Sequence, residues 1–430
     1  MEKLKFQSPT GMHDILPEDQ KYFQKISKTC EEFADFYGFQ PITTPILEES
    51  GLFEKGTGEL TDIIQKEIYS FKTKGGDSLA LRPEGTPPVV RAYLEHGMQS
   101  LPQPVRLSYF GPFFRHDRPQ AGRYRQFHHF GMEAIGEGSA LIDAQIVQIF
   151  YNILTSLKLK KLVVEVNSIG DGQCRSSYKR ALNKYFRLKT SSLCPDCKKR
   201  LKDNPLRILD CKNEKCKEAA LEAPQTVDYL CENCHSHFKR FLEFLDEIGI
   251  PYTLNPRLVR GLDYYTKTVF EIYEESEEGK SQGTLAAGGR YDNLVKLLGG
   301  KKDTPACGGA MGVERIINMM KAQGAEMPQP VLPKIFLAQL GELSKRKSLK
   351  LLDDFRKAKI KVAESLGRDS LKPQLKIANK IQARYSLILG QKEALAGEII
   401  IRDMDSRVQK IVKLDKAVEE MKEMLKKQQS

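Results

Sequence analysis

The sequence of 430 residues contains no tryptophan and no apolar run near the roughly 18 residues that a membrane-spanning helix needs. Residues 1–14 lack the apolar centre of a secretory signal, so we expect a cytoplasmic protein with no membrane partner. The nucleotide-binding patterns G-x-G-x-x-G and G-x-x-x-x-G-K-[ST] are also missing. The sequence therefore predicts neither a Rossmann-type nor a P-loop phosphate site.

The composition is that of a folded, basic protein. Hydrophobic residues make up 40% of the chain, with 16 Tyr and 20 Phe, which excludes a disordered chain. The length predicts two or three domains. The net charge of +12 is unevenly distributed, because residues 331–430 carry +10 and the other 330 residues only +2. The basic tail favours a polyanionic partner such as nucleic acid.

The order of apolar runs indicates an α+β fold. A helix should begin near Pro17 and end near Gly38, because apolar residues between them recur every three or four positions. Strand-like runs follow with few helical crossovers, which favours an antiparallel sheet flanked by helices. These runs are 106–110, 127–135, 162–167 and 269–273.

Two shifts in composition divide the chain further. Residues of about 170–240 are rich in lysine and cysteine and are interpreted as an insertion. Residues 324–333 contain three prolines and are interpreted as a linker. Beyond the linker, alternating strand-like and helical stretches predict a compact α/β domain of about 100 residues.

Six of the nine cysteines fall in residues 194–234, in the spacings C-x₂-C, C-x₄-C and C-x₂-C. Zinc favours four thiolate or imidazole ligands, and paired C-x₂-C steps are typical of structural zinc sites. We therefore expect one structural zinc held by the paired C-x₂-C steps, with reduced thiols as the alternative. Its candidate ligands are Cys194, Cys197, Cys231 and Cys234, with His235 and His237 as alternative ligands. Cys30 and Cys307 are expected to pack in the core.

Two polar stretches could carry chemistry. In the hairpin predicted over residues 106–133, Arg115 ends an otherwise apolar strand, and a guanidinium there suits a phosphate. A solvated hairpin is the alternative. In residues 308–315, small residues precede a helical run that begins near Arg315. Taken alone, this second stretch favours close packing over catalysis.

Several stretches resemble class II aminoacyl-tRNA synthetases, in order along nearly the whole chain. Residues 11–58 resemble motif 1, the dimer-forming helix and strand. Phe114-Arg115 through Glu133 resembles motif 2, and Gly308 through Arg315 resembles motif 3. Three more stretches resemble the histidine-specific family: Leu81-Arg-Pro-Glu84-Gly-Thr86, Arg260-Gly-Leu-Asp-Tyr264-Tyr265 continuing to Glu271, and Ala287-Gly-Gly-Arg-Tyr291-Asp.

The resemblance implies an architecture and a reaction. Residues 1–325 would form the catalytic domain, including the helical insertion, and residues 331–430 an anticodon-binding domain. The family activates L-histidine with ATP to histidyl-adenylate, then transfers histidine to the 3′-terminal adenosine of tRNA-His. ATP would come with Mg²⁺, and the enzyme would be a homodimer.

The resemblance also implies roles for individual residues. Arg260 and Arg115 would act in catalysis at the α-phosphate. ATP would contact Arg115, Arg123 and Arg315. Histidine would contact Glu84, Gly85, Thr86, Arg115, His129, Glu133, Arg260, Tyr264, Tyr265 and Tyr291. His129 stands where the family usually has glutamine, and it can still donate a hydrogen bond.

Contacts to tRNA are implied for Gln120 and for three lysines in the tail. Lys372, Lys376 and Lys380 are spaced by four residues, so they would line one helix face. A solvated lysine stripe is the alternative interpretation of those three. A different function would be a synthetase-like histidine sensor that regulates histidine biosynthesis. Such paralogues tend to lose the tail and part of the arginine set, and this chain has both. An accessory nucleic-acid-binding subunit is a third class, which would not need the histidine signatures.

Overall fold

A computed structural model describes residues 6–58, 61–119, 122–276, 279–325, 327 and 332–426. The chain divides into two compact units, Met1–Met327 and Pro328–Ser430. Part of the proline-rich stretch interpreted as a linker, residues 326 and 328–331, lies outside the described residues. No helix in these ranges is both long enough and apolar enough to span a membrane.

The strands of the larger unit are short at the edges of its sheets and long at the centre. They are β1 (Gln40–Pro41), β2 (Leu47–Glu49), β3 (Tyr69–Lys72), β4 (Ser78–Leu81), β5 (Val105–Phe114), β6 (Gln126–Ile135), β7 (Leu162–Ser168), β8 (Tyr252–Leu254), β9 (Thr266–Ser276), β10 (Gly279–Arg290) and β11 (Ala306–Gly312). Eight of them form one sheet in the order β1-β5-β6-β11-β10-β9-β7-β8, and β2-β4-β3 form a small second sheet. Neighbours in the large sheet are antiparallel except at its edges, where β1 pairs with β5 and β8 with β7 in parallel. The predicted antiparallel sheet is confirmed.

Helices cover this sheet and build the insertion. They are α1 (Pro17–Phe36), α2 (Ser50–Thr57), α3 (Thr86–Glu95), α4 (Ala140–Ser156), α5 (Gly172–Leu188), α6 (Pro195–Asp203), α7 (Glu214–Ala220), α8 (Glu232–Glu247), α9 (Leu294–Leu297) and α10 (Val313–Ala322). One large core joins α1, α4, α8 and α10 to one face of the central strands. A second core lies between α3, the insertion and the strands that carry the polar site.

Helix α1 shows how sequence sets these boundaries. Pro17 occupies its first turn, where a missing N–H costs nothing, and Glu18 and Asp19 favour the positive helix end. Phe23, Ile26 and other apolar residues form its buried face, as the spacing predicts. The helix ends before Gly38, which has a φ of 74° that suits glycine.

The smaller unit is a sheet with helices of its own. It contains β12 (Ile335–Gln339), α11 (Glu342–Lys357), β13 (Val362–Glu364), α12 (Leu371–Lys380), β14 (Tyr385–Leu389), α13 (Gln391–Ala396), β15 (Glu398–Asp403), β16 (Gln409–Lys413) and α14 (Ala417–Lys426). The strand order is β13-β12-β14-β15-β16, parallel at first and antiparallel from β14 onward. The predicted α/β tail is confirmed. Helix α13 is not predicted from the sequence, because it is only six residues long.

A fully buried ion pair fixes α4 to the centre of the large sheet. The Arg290 guanidinium binds both carboxylate oxygens of Asp143, at 3.1 Å for Nε and by a shorter contact for Nη2. It also donates to the carbonyls of Glu137 and Ser139. Burial alone would raise the pKa of Asp143, but Arg290 and His237 lower it to about 2. The arginine of the Ala287–Asp292 signature therefore has a structural role.

Replacing Arg290 with methionine should lower the free energy of unfolding of the larger unit by about 3–5 kcal/mol, because Asp143 would lose its main cation while buried. Urea unfolding measures this loss. The matched control is Lys239→Met, which breaks the exposed Lys239–Glu243 pair and should change stability by about 0.5 kcal/mol or less. Equal stabilities of the two variants would contradict the assigned role of Arg290.

Candidate active site

The centre of the site is Glu133, a carboxylate on β6 with no exposed surface. Its Oε1 accepts hydrogen bonds from Thr86 Oγ1 at 2.8 Å and from the Tyr109 hydroxyl at 3.2 Å. Its Oε2 accepts a short hydrogen bond from the Tyr291 hydroxyl. Burial and the nearby charge of Glu84 outweigh these hydrogen bonds and raise the pKa of Glu133 to about 8.

A second buried carboxylate lies beside it. Glu84 Oε2 accepts a hydrogen bond from the Tyr264 hydroxyl at 2.7 Å. Within the described ranges, Glu84 Oε1 is buried and accepts no hydrogen bond. Burial raises the pKa of Glu84 to about 7, against the lowering effects of the Tyr264 hydrogen bond, Arg115 and Arg260. An unpartnered buried carboxylate oxygen suits a cationic ligand.

Close backbone approach explains two glycines of the site. A Cβ at Gly308 would lie 1.8 Å from Glu133 Oε2, so only glycine leaves room for that carboxylate. A Cβ at Gly85 would lie 2.3 Å from the Tyr109 ring. Gly85 therefore lets the start of α3, where Thr86 lies, pack against that tyrosine.

Arginines approach the same region from separate elements. Arg115 follows the end of β5, and its Nε donates to the carbonyl of Pro83 at 2.9 Å. Arg260 forms a close ion pair with Glu271 on β9 and lies 5.8 Å from the Tyr265 ring centroid. Among the described residues, Arg260 Nε is buried and has no acceptor. Both arginines retain donors that a polyanion could use.

Arg315 in the first turn of α10 shows that these cations converge. It donates to the carbonyls of Gly122 at 3.1 Å and Thr284 at 2.7 Å. Burial, followed by the charges of Arg123, Arg115 and Arg260, lowers the pKa of Arg315 to about 10, although Glu271 raises it. A side chain whose cationic form is destabilised by like charges is suited to binding an anion.

Arg123 lies nearer the surface, about one third exposed, and donates to Asp117 Oδ2 at 3.0 Å. Its charge reaches Arg315, so it belongs to the same positive region. Gln120, from the same loop, lies outside the described residues.

His129 occupies β6 between the rings of Phe113 and Phe127, at centroid distances of 5.1 and 4.9 Å. Burial, with the charges of Arg115 and Arg315, holds the pKa of His129 well below its usual range. The side chain is therefore neutral near pH 7 and offers one donor and one acceptor. In the described part of the chain, its Nδ1 is buried without a partner.

The expected histidine-binding and ATP-binding residues thus share one region of the large sheet. The three tail lysines lie in the other unit, exposed on α12 opposite the buried Gln374 and Ala378. Tyr109 and Glu271 are polar partners in the site that the sequence analysis gave no role. Tyr109 lies in the hairpin predicted over residues 106–133, five residues before the motif 2 stretch, and Glu271 lies at the end of a histidine signature, so only their position beside these motifs could have indicated them.

The structure does not bring the four expected zinc ligands together. Cys194 and Cys197 cluster with Cys211 and Cys216, whereas the other C-x₂-C pair clusters elsewhere. Cys231 and Cys234 lie with Asp171 and Cys174. The spacing suggested that the two C-x₂-C pairs share one site. In the fold the pairs lie apart, since each stands at the start of a different helix.

An antiparallel sheet that presents arginines from a strand end and from a following helix, beside a buried acidic pocket, places the chain among the class II aminoacyl-tRNA synthetases. Sequence comparison gives the particular family. Residues 11–316 match the family model described as histidyl-tRNA synthetase, and residues 334–424 match an anticodon binding domain. The chain belongs to the histidyl-tRNA synthetase family.

Relatives resemble the chain along nearly its whole length. A histidine–tRNA ligase from Dehalococcoides mccartyi is 46% identical, over 98% of this chain and 100% of the relative. One from Desulforudis audaxviator is 44% identical, over 96% and 98%. The apo histidyl-tRNA synthetase of S. aureus superposes with a TM-score of 0.78 at 36% identity, covering 96% of this chain and 99% of that one. A Bacillus halodurans structure described as an ATP phosphoribosyltransferase regulatory subunit/histidyl-tRNA synthetase, with a TM-score of 0.62 at 20% identity over 90% and 99%, shares the fold.

The raised pKa values of Glu84 and Glu133 predict how the stability of the ligand-free protein depends on pH. Both groups bind a proton more tightly when folded than when unfolded, where the pKa is about 4.3. Their ionisation therefore costs stability as pH rises from about 5 toward 8. Glu133→Gln should remove part of this loss, so the variant should gain stability relative to the wild type with rising pH.

Urea unfolding of both proteins at several pH values between 5 and 8 measures that difference. Glu243→Gln on the exposed face of α8 is the matched control and should show a difference that does not change with pH. A Glu133→Gln difference that is equally flat would contradict the raised pKa.

Proposed function

We propose that this chain is a histidine–tRNA ligase that uses ATP in two steps. L-histidine and ATP form histidyl-adenylate and pyrophosphate, and histidine is then transferred to the 3′-terminal adenosine of tRNA-His. The observation that carries the proposal is a site in which buried carboxylates and converging arginines lie close together, in a chain of this family. Histidine carries an ammonium group and ATP a polyphosphate, so the carboxylates and the arginines match the two substrates.

The converging arginines would stabilise the first step. The histidine carboxylate attacks the α-phosphorus and pyrophosphate leaves, so negative charge grows on the phosphate oxygens. Arg115 and Arg260 are assigned to the α-phosphate, and Arg123 and Arg315 to the outer phosphates. Preorganised cations of this kind are usually the largest catalytic contribution. Adenylation requires no general base, because the attacking carboxylate is already ionised.

The buried carboxylates would hold histidine. The open Oε1 of Glu84 would accept from the α-ammonium, with Gly85 and Thr86 at the same helix start. Glu133, Tyr264 and Tyr291 would contact the imidazole, with Tyr265 and His129 completing the wall. Leucine or phenylalanine would leave these buried polar groups unpaired, which can reject a wrong substrate by ~10⁴–10⁵-fold.

Magnesium is proposed to enter with ATP, bridging its phosphates. Class II synthetases in general use ATP with a divalent metal. Among the described residues, groups of three or more clustered metal ligands occur in the insertion and not beside the arginines. This distribution supports an ion held mainly by the substrate, and Mg²⁺ commonly binds that way.

A homodimer and a cytoplasmic location complete the proposal. Residues 11–58, which resemble motif 1, expose large apolar side chains that a second copy could cover. The exposed ones are Leu16, Phe36, Ile46 and Leu47, with Phe36 81% exposed. All nine cysteines are unbridged, which fits a reducing compartment.

Histidine-dependent exchange between ATP and pyrophosphate tests the enzymatic assignment. The purified chain should catalyse it, whereas a histidine-sensing subunit would bind histidine without exchange. Arg115→Gln and Arg315→Gln should each lower the exchange rate by ~10²–10³, by analogy with the loss of one oxyanion donor. Arg180→Gln, a surface change on α5, is the matched control and should leave the rate unchanged. Failure of the wild-type chain to exchange would overturn the assignment.

A separate prediction concerns the tail. Changing Lys372, Lys376 and Lys380 together to glutamine should raise the KM for tRNA-His in charging and weaken its salt dependence, because fewer phosphates would be neutralised. The exchange reaction, which needs no tRNA, should keep its rate. The triple arginine variant preserves charge and serves as the control. An unchanged KM in the glutamine variant would favour a merely solvated lysine stripe.

A further inference from the structure

We propose that the insertion holds two structural zinc ions in two separate four-ligand sites. The tip site consists of Cys194, Cys197, Cys211 and Cys216, and the base site of Asp171, Cys174, Cys231 and Cys234. Neither ion takes part in the proposed reaction. The inference therefore stands whether or not the proposed function is correct.

The tip site has the dimensions of a tetrahedral thiolate site. Its four sulfur atoms lie within 4.8 Å of one another. With Zn–S bonds of about 2.3 Å, tetrahedral geometry separates the sulfurs by about 3.8 Å. Cys194 Sγ and Cys211 Sγ are 3.9 Å apart. The Cys194 N–H also donates to Cys216 Sγ at 3.2 Å, a contact that stabilises a thiolate.

The base site replaces one thiolate with a carboxylate. Asp171 caps α5 through Oδ1, which accepts from the N–H groups of Gln173 and Cys174 at 3.0 Å each. Its second oxygen, Oδ2, is directed toward Cys231 Sγ, 3.9 Å away. The Cys231 N–H donates to Cys174 Sγ at 3.1 Å. Oδ1 thus orients the Asp171 side chain through its hydrogen bonds, and Oδ2 remains available to bind the metal. Hydrogen bonds to metal ligands commonly orient them in this way.

The two sites share a local design. Cys194 and Cys231 each immediately precede a helix, with nearly identical φ and ψ of −66° and 163° and of −68° and 162°. The second cysteine of each pair, Cys197 or Cys234, lies in the first turn. Helix N-termini favour thiolates, which are the zinc-binding form of cysteine.

The four tip cysteines are free thiols rather than disulfides. A disulfide needs about 2.05 Å between sulfurs, far less than the 3.9 Å between Cys194 and Cys211. Cys30 and Cys307 provide the contrast, because each is buried outside both clusters. The tip cluster instead brings three buried thiols and the half-buried thiol of Cys194 to one point. A bound ion explains their arrangement.

Each site ties down a different part of the insertion. The base site joins the start of α5 to the start of α8, which closes a loop of about 60 residues, the kind of long loop whose closure gains most from a metal clip. The tip site fixes α6 and the turn that precedes α7. Within that region Arg200 and Arg207 form ion pairs with Asp62 at 2.9 and 2.8 Å. Asn204 donates to Asp263, three residues from Arg260.

Metal analysis of the full chain, purified without chelators, tests the proposal. The wild type should contain two equivalents of zinc per chain. Cys211→Ala and Cys174→Ala should each contain one, and the double variant none. Cys30→Ala is the matched control and should contain two. Cys211 and Cys174 are the informative positions, because neither belongs to the paired C-x₂-C steps.

One equivalent or none in the wild type would overturn the two-site proposal. Retention of both ions in either single variant would overturn the ligand assignment of that site. A second measurement does not depend on folding of the variants. Chelation of the wild type should make the four tip cysteines and the three base cysteines more reactive to alkylation, located by mass spectrometry. An unchanged alkylation pattern would also overturn the proposal.

Discussion

The placement of unbalanced buried charge is the constraint on which the larger unit depends. Glu84 and Glu133 lie together out of water, and the guanidinium groups of Arg115 and Arg260 lie close enough to act on both Glu84 and Arg315. The carboxylates repel each other, and so do the guanidinium groups. The ligand-free protein must therefore stabilise these charges by other means. Tyrosine hydroxyls and Thr86 donate to the carboxylates, whereas carbonyls and single carboxylates accept from the arginines. The residual imbalance is what a zwitterionic amino acid and a polyphosphate would neutralise.

The antiparallel sheet is suited to holding such a site. Its charged side chains come from distant parts of the sequence, so no single loop movement disperses them. Strand β6 carries Glu133 and His129, Arg115 directly follows β5, Glu271 lies on β9, and α10 supplies Arg315 directly after β11. The buried pair of Arg290 and Asp143 anchors this sheet to α4 with complete hydrogen bonding. The charges of this structural pair are thus fully hydrogen-bonded, whereas two atoms assigned to ligands, Glu84 Oε1 and Arg260 Nε, have no hydrogen-bond partner among the described residues.

Sequence patterns predicted the fold well where one physical signal dominated. Periodic apolar residues located α1, and alternating runs located the hairpin of β5 and β6 and the strands of the tail. Motif context brought together the residues of one pocket that are separated by more than 200 positions. Composition did not indicate Tyr109, because a tyrosine in a strand is ordinary until its hydroxyl meets Glu133. The spacing of the cysteines did not predict their grouping in the fold, because spacing reports local turns, whereas Cys174 and Cys211 reach their clusters through tertiary folding.

The contact between the two ends of the insertion also has a consequence for the order in which the strands become available during synthesis on the ribosome. Asp171 and Cys174 emerge about 60 residues before Cys231 and Cys234, an interval of ~3–12 s at ordinary rates of synthesis. During that time β7 has none of its sheet neighbours, because β8 and β9 are made later still. Contact between the starts of α5 and α8 brings the growing chain back beside β7 just before those strands appear. The order of the elements along the chain thus places the whole insertion between β7 and the two strands that pair with it.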